Sequence, residues 1–344
     1  MKIERFQQRF SRVATCVVVM IAASMLLAAG TGEVPEFTPR QCDPARVVGP
    51  DTCIKCHESE MKQWMQTPHY RTFDVLHRTP EAKEIAKKMD LRSIKRNDTC
   101  VTCHYTRQLQ GTRERVVAGV SCESCHGGAK DWLNLHADYG GPNITREMET
   151  AGHREKRLAE SIAAGMNNPT NLYLMARQCL SCHTVPDEKL VNVGGHKAGT
   201  DDFELVAWSQ GSVRHNFVRS DGAVNATSDP ARLRVMYVVG AMADLEASLR
   251  AVSKATEMST YGRTSAARAA RTKQRLWDIQ RKIDHPLVAK ALDAVSQLEL
   301  KLGNESQILA AADAVGAAAY EFADVDGNTI AEVDAMLPDP SQYK

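Results

Sequence analysis

Aromatic residues are scarce in this chain: Phe, Trp and Tyr make up only 6% of its 344 residues. Its hydrophobic share of 43% is ordinary for a soluble globular protein, so something other than aromatic side chains has to fill part of the core. There is no excess of basic charge either. Lys and Arg number 43 against 42 Asp and Glu, a formal charge of +1. Without residues 1–30, which carry Lys2, Arg5, Arg9, Arg12 and Glu4, the charge becomes −2. That balance argues against nucleic acid as a partner. Cysteine is absent beyond residue 228, and no C-x-x-C-K motif occurs.

The first thirty residues are built differently from the rest. Four basic residues precede the uncharged run VATCVVVMIAASMLLAA, and Ala28 and Gly30 occupy the −3 and −1 positions before Thr31. This is the layout of a signal peptide spanning 1–30, and it implies export to the periplasm. Left uncleaved, the segment would be a short membrane anchor, and only then would a membrane be a partner. Cys16 begins the apolar run instead of ending it, which is wrong for a lipoprotein cysteine.

Ten cysteines in an exported chain ordinarily suggest disulfides, but their spacing does not. Eight fall into four copies of one pattern, CIKCH, CVTCH, CESCH and CLSCH, formed by Cys53, Cys56 and His57; Cys100, Cys103 and His104; Cys122, Cys125 and His126; and Cys179, Cys182 and His183. C-x-x-C-H is the attachment pattern of c-type haem. Two thiols three residues apart meet the porphyrin vinyl groups as thioethers, and the adjacent imidazole faces the iron. A redox dithiol does not require the histidine, and zinc knuckles do not repeat it so strictly. Four covalent haem c groups are therefore expected, with Cys42 left incidental. Asp51-Thr52 and Asp98-Thr99 read as helix N-caps before the first two motifs. With about 49 residues per haem over 31–225, the porphyrins should supply much of the core, and the apoprotein should not fold.

The sixth position of each iron separates a carrier from a catalyst. Outside the motifs stand His69, His77, His136, His153, His196, His215 and His285. The stretch SEMKQWMQTPHYRTF leading to His69, followed in order by DTCVTCH, GVSCESCHGG and CLSCH, resembles the cytochrome c-554 family over about residues 50–185. Those proteins are tetrahaem electron carriers that take electrons from hydroxylamine oxidoreductase. The resemblance implies that His69 ligates the iron of His126 and His136 the iron of His57. After the fourth motif the sequence departs from the family. Either His196 or His215 should serve the iron of His183, His215 being favoured by distance along the chain. The other would cover the iron of His104 or stand behind it; the family leaves its second haem five-coordinate. His77, His153 and His285 read as solvated or structural.

Beyond Asp229-Pro230 the pattern is helical: Val235, Val238, Met242, Leu245, Leu249 and Val252 recur at steps of three and four, and so do Ala269, Thr272, Leu276, Ile279 and Ile283. Pro286 should open a third helix that ends at Gly303, with Asn304 capping a fourth. DVDGN at 324–328 lacks the full calcium-loop spacing and reads as a turn.

The expected fold is mainly α: a tetrahaem cytochrome domain over 31–225 with little regular sheet, then a haem-free antiparallel helical bundle over 226–344, whose open seam could serve homo-oligomerisation or docking. The expected function is periplasmic electron relay between redox partner proteins in nitrogen or other respiratory metabolism. The alternative is an enzyme reducing a small nitrogen oxide or hydroxylamine at a five-coordinate haem of His104.

Overall fold

The computed structural model describes residues 42–200 and 202–344. The expected export signal lies outside them. The described chain is mainly helical, with one two-stranded sheet. No helix among the described residues is long and apolar enough to cross a membrane.

Short helices carry the first half. They are α1 (Pro50–Cys53), α2 (Glu58–Trp64), α3 (Pro68–Val75), α4 (Pro80–Lys88) and α5 (Asp98–His104). Thr67 and Thr79 cap α3 and α4 by accepting the backbone N–H of Tyr70 and Ala82, each with Pro at the first helical position. The caps expected at Asp51-Thr52 and Asp98-Thr99 lie earlier, by two residues in the first case and one in the second. Gly49, at φ 91, precedes α1 with no side-chain cap, and Asn97 accepts from Thr99 before α5. Asp51 and Asp98 sit instead in the first helical turn, where a carboxylate faces the positive end of the helix dipole.

A hairpin of β1 (Thr106–Gln110) and β2 (Arg113–Ala118) then leads into α6 (Cys122–His126), α7 (Leu133–His136), α8 (Ala151–Ala163) and α9 (Leu172–His183). The short α10 (Glu188–Asn192) and α11 (Leu205–Ser209) follow. Four longer helices close the chain: α12 (Pro230–Ser253), α13 (Thr260–Ile283), α14 (Pro286–Ala294) and α15 (Glu305–Phe322). Asp229 caps α12 by accepting from Arg232, with Pro230 at the first position, as its sequence suggests. The third helix of this group stops at Ala294, well before Gly303, and Lys273 Nζ donates to Val295 O (2.6 Å) at its end. Asn304 occupies the cap position of α15 without a side-chain cap bond. At DVDGN, Asp326 accepts the N–H of Asn328 and turns the chain into a 3₁₀ stretch.

The apolar positions read along α12 are buried, but so are Met236, Val239, Ala243, Asp244, Glu246 and Ser248 on its other sides. A helix buried all round is central, not amphipathic. It packs against α9, α11, α13 and α15. Its buried polar groups are all bonded: Glu246 accepts Tyr173 Oη of α9 (2.7 Å) and Arg250 Nε (3.0 Å), and Arg250 also reaches Asp313 of α15 (2.7 Å). The helix that ends in the fourth C-x-x-C-H motif is thus fastened to the cysteine-free helices through Tyr173.

Gly316 of α15 lets these helices approach. A Cβ there would lie 2.7 Å from Tyr173 Oη and 2.9 Å from Glu246 Cδ. Ala is favoured over Gly in a helix by about 1 kcal/mol, but here it would displace a buried hydrogen bond worth about 1–3 kcal/mol when left unmade. Gly316→Ala should therefore destabilise the protein in urea unfolding. Gly152→Ala, where a Cβ meets nothing within 4 Å, should be neutral or stabilising.

Candidate functional site

Each C-x-x-C-H occupies a single helical turn. In the first, His57 N bonds Cys53 O at 3.0 Å across the end of α1. The others lie within α5, fill α6, and close α9. Residues i, i+3 and i+4 share one helix face, so the two thiols and the imidazole of each motif point the same way.

The motifs are drawn together by groups inside and between them. Glu123, within CESCH and 1% exposed, accepts the N–H of Val48 (2.9 Å), Gly49 (2.8 Å) and Ala129 (2.8 Å). One buried carboxylate thereby fixes the start of the first motif against the third. Cys53 and Cys122 share a thiol hydrogen bond, which, together with burial, pushes the Cys53 thiol far up. Cys103 and Cys182 do the same between the second and fourth motifs. Burial, with the neighbouring Cys182 adding to it, raises Cys179 to about 12.

Opposite each motif histidine stands one histidine from elsewhere in the chain. Ring centroids are 6.3 Å apart for His57 and His136, 6.3 Å for His104 and His196, 6.2 Å for His126 and His215, and 6.1 Å for His183 and His69. Metal–imidazole bonds run about 2.0–2.1 Å and a ring nitrogen lies roughly 1.1 Å from its centroid, so two imidazoles in line on one metal have centroids about 6.2–6.4 Å apart. The one-to-one matching uses every motif histidine once.

Four of these eight rings have a tautomer fixed by a backbone carbonyl, while Nδ1 of His69 is buried without a hydrogen-bond partner. Nδ1 of His136 donates to Leu133 O (2.6 Å), that of His196 to Lys197 O (2.8 Å) and that of His215 to Val213 O (2.7 Å). A carbonyl can only accept, so each ring keeps a lone pair on Nε2 for a metal. Nδ1 of His126 likewise donates to Asn167 O (3.2 Å), and His183 Nδ1 bonds Thr200 Oγ1 (3.1 Å). The remaining histidines are used otherwise. His285 Nδ1 accepts the N–H of Leu287 to cap α14, His77 Nε2 accepts from Arg78, and His153 Nδ1 bonds Glu149 (2.8 Å).

These pairs partly rearrange the sequence expectation. His136 faces His57 and His196 faces His104. But His69 faces His183, not His126, and His215 faces His126, not His183. The reasons are local. Thr72 of α3 donates to His104 O (2.8 Å), and Val120 N donates to His69 O (3.2 Å), which turns His69 toward the second and fourth motifs. Phe203 and Trp208 pack against the His183 ring at 5.2 Å each, and the chain carrying His215 runs on past them to the third motif. Trp64, 8% exposed, lies between the two groups: it stacks on His69 at 5.6 Å and meets His215 edge-on at 5.6 Å. Burial, first, lowers the basicity of His104, His126 and His183 to about 4. They are neutral at ordinary pH, as metal ligands must be.

Two opposed imidazoles suit a planar macrocycle that fills four positions itself. They do not make the four-ligand shell of structural zinc. A cavity is lined by Cys103, Cys179, Cys182, His183, His69 and Trp208, which bring thiols and imidazoles of the second and fourth motifs onto one concave surface. The residues therefore fit haem. Glu123, Trp64 and Thr200 could not be picked out of the sequence, because each owes its role to chain segments far from it.

Residues 52–127 match a family model described as "Cytochrome c554 and c-prime". A cytochrome c-554 of Nitrosomonas europaea is 28% identical over 103 residues, which is 27% of this chain and 43% of that protein. The chain thus spans under half the length of the curated relative it matches. No solved structure matches. The similarity supports the cytochrome c-554 family, and through it a c-type cytochrome with covalently bound haem.

His136 is also braced from behind. Arg157 Nη1 donates to His136 O (2.8 Å), and its Nε and Nη2 donate to Glu149 (2.7 and 2.6 Å), whose carboxylate is 1% exposed. The hydrogen bond from Arg157 holds the Glu149 carboxyl down to about 2. A depressed carboxyl stabilises the fold fully above its ordinary value of 4.5, and that contribution disappears as pH falls toward 2. Glu149→Gln should therefore flatten the pH dependence of the urea midpoint across this window; an unchanged slope would remove Glu149 from the account.

Proposed function

We propose, for a chain that carries the cytochrome c-554 family pattern over residues 52–127, a tetrahaem c-type cytochrome that relays electrons between periplasmic redox partner proteins. When bound, haem c supplies iron that changes oxidation state by one electron without the protein having to rearrange. The chain's own part is to hold four such groups by Cys53 and Cys56, Cys100 and Cys103, Cys122 and Cys125, and Cys179 and Cys182. Each would be ligated by two histidines: His57 with His136, His104 with His196, His126 with His215, and His183 with His69.

The observation that carries this reading is His196. A reductase of small nitrogen oxides or hydroxylamine needs an open position at one iron, and the site of His104 was the candidate for it. His196 stands opposite His104 at 6.3 Å with its Nε2 lone pair free, because Nδ1 donates to Lys197 O. Two histidines at every site leave no such position, and bis-histidine ligation suits a carrier.

The thiol contacts between Cys53 and Cys122 and between Cys103 and Cys182 support two closely spaced pairs of sites. Trp64, touching both His69 and His215, lies between those pairs. The c-554 resemblance favours nitrogen or other respiratory metabolism. The long helices lie beyond the matched segment, so the identity of the donor is not carried over from the relative.

Electron paramagnetic resonance of the isolated protein should show low-spin haem alone, with no spectral response to carbon monoxide or nitric oxide. His196→Ala should convert one haem in four to a high-spin form that binds carbon monoxide. A native high-spin signal that responds to nitric oxide would instead favour the enzyme.

A further inference from the structure

The long helices reach one of these sites through a single side chain, Arg268 of α13. Its guanidinium is 7% exposed and its partner Asp244 of α12 is 5% exposed, with Nε donating to Oδ1 at 2.7 Å. Asp244 also accepts Ser248 Oγ at 3.2 Å. On the other edge, Nη1 donates to Thr200 O at 2.7 Å and to His183 O at 3.4 Å. Thr200 in turn bonds the His183 imidazole at Nδ1 (3.1 Å) and donates its own N–H to His183 O (2.9 Å). The approach depends on Gly199, which has φ +92: a Cβ there would lie 3.0 Å from His183 O and 3.3 Å from Arg268 Nη1. The third guanidinium nitrogen, Nη2, is buried and has no hydrogen-bond partner.

A cation taken out of water is costly unless it is paired and fully bonded. Here one edge is neutralised, the second holds the backbone of His183 and of Thr200, which bonds the His183 imidazole, and the third is a buried donor with nothing to bond. A hydrogen-bond acceptor is what it lacks, and an anionic one would bond it most strongly. Nearby positive charge disfavours further positive charge, so the oxidised state of an iron on His183 is the one it opposes.

We propose that Arg268 is a positioning residue for the haem of His183, and that the Asp244–Arg268 pair sets that haem's reduction potential above the value the same two ligands would otherwise give. This rests on the haem reading above and gives the haem-free helices a redox role. The unpartnered Nη2 is the donor that a carboxylate side arm of the porphyrin would take.

The test is a spectroscopic redox titration of the holoprotein and its variants. The haem of His183 is first assigned as the component that His69→Ala turns high-spin. Arg268→Gln should lower the potential of that component alone, by about a tenfold change in the reduced-to-oxidised ratio, 59 mV for a one-electron couple. Asp244→Asn leaves the cation uncompensated and should raise it. A merely structural role would not move one haem in opposite directions in the two variants. If Arg268→Gln does not fold, the sign of the Asp244→Asn shift decides. Four bound haems with no shift, or with shifts of one sign in both variants, overturn the proposal and leave the carrier reading intact. Fewer than four haems in the native protein, or no spin change in His69→Ala, would instead overturn the site assignment on which it rests.

Discussion

The structure depends on one constraint: each motif histidine is opposed, about 6 Å away, by a histidine far from it in the chain. A C-x-x-C-H turn is too short to form a core, and the chain between the motifs is short of aromatic residues. What holds these segments in register, and keeps the rings opposed, is the set of polar groups that orient them. His136 is fixed by its own helix turn and by Arg157, and His215 by Val213 O. His126 is held by Asn167 O and His183 by Thr200. Each bond to a carbonyl fixes a tautomer as well as a position, and so specifies which nitrogen of His136, His215 and His126 is offered to a metal.

A second level of organisation joins the sites to each other. Glu123 binds the backbone ahead of the first motif while lying inside the third. Thr72 binds the carbonyl of His104 from the helix that carries His69. Trp64 touches a histidine of each group. These contacts make the opposed histidines mutually dependent, so displacement of one segment would disturb more than one pair. The long helices join this network from outside, through Tyr173 to Glu246 and through Arg268 to His183. They are therefore more than an appended bundle, even though they contain no cysteine.

The motifs and the mainly helical fold were legible in the sequence because each rests on local spacing: C-x-x-C-H repeats, three-and-four periodicity, Pro and Asp at helix starts. The histidines outside the motifs rested instead on the family resemblance and on distance along the chain. The pairing was only partly legible. His136 follows the third motif closely but faces the first, an arrangement that the family resemblance implied. His69 and His215 could not be placed the same way, since their directions follow from Thr72, Val120, Phe203 and Trp208, all of which act across the fold. Helix ends were misread where a side chain some distance away satisfies the terminal carbonyl, as Lys273 does at Val295. Arg268 looks in sequence like one more cation on an arginine-rich helix. Its burial exists only because Asp244 and Thr200 meet it there.

The most direct measurement is anomalous X-ray diffraction at the iron edge from crystals of the holoprotein. Four iron positions are expected, between His57 and His136, His104 and His196, His126 and His215, and His183 and His69. An iron shared by His126 and His69, or one at His104 without His196, would contradict the account.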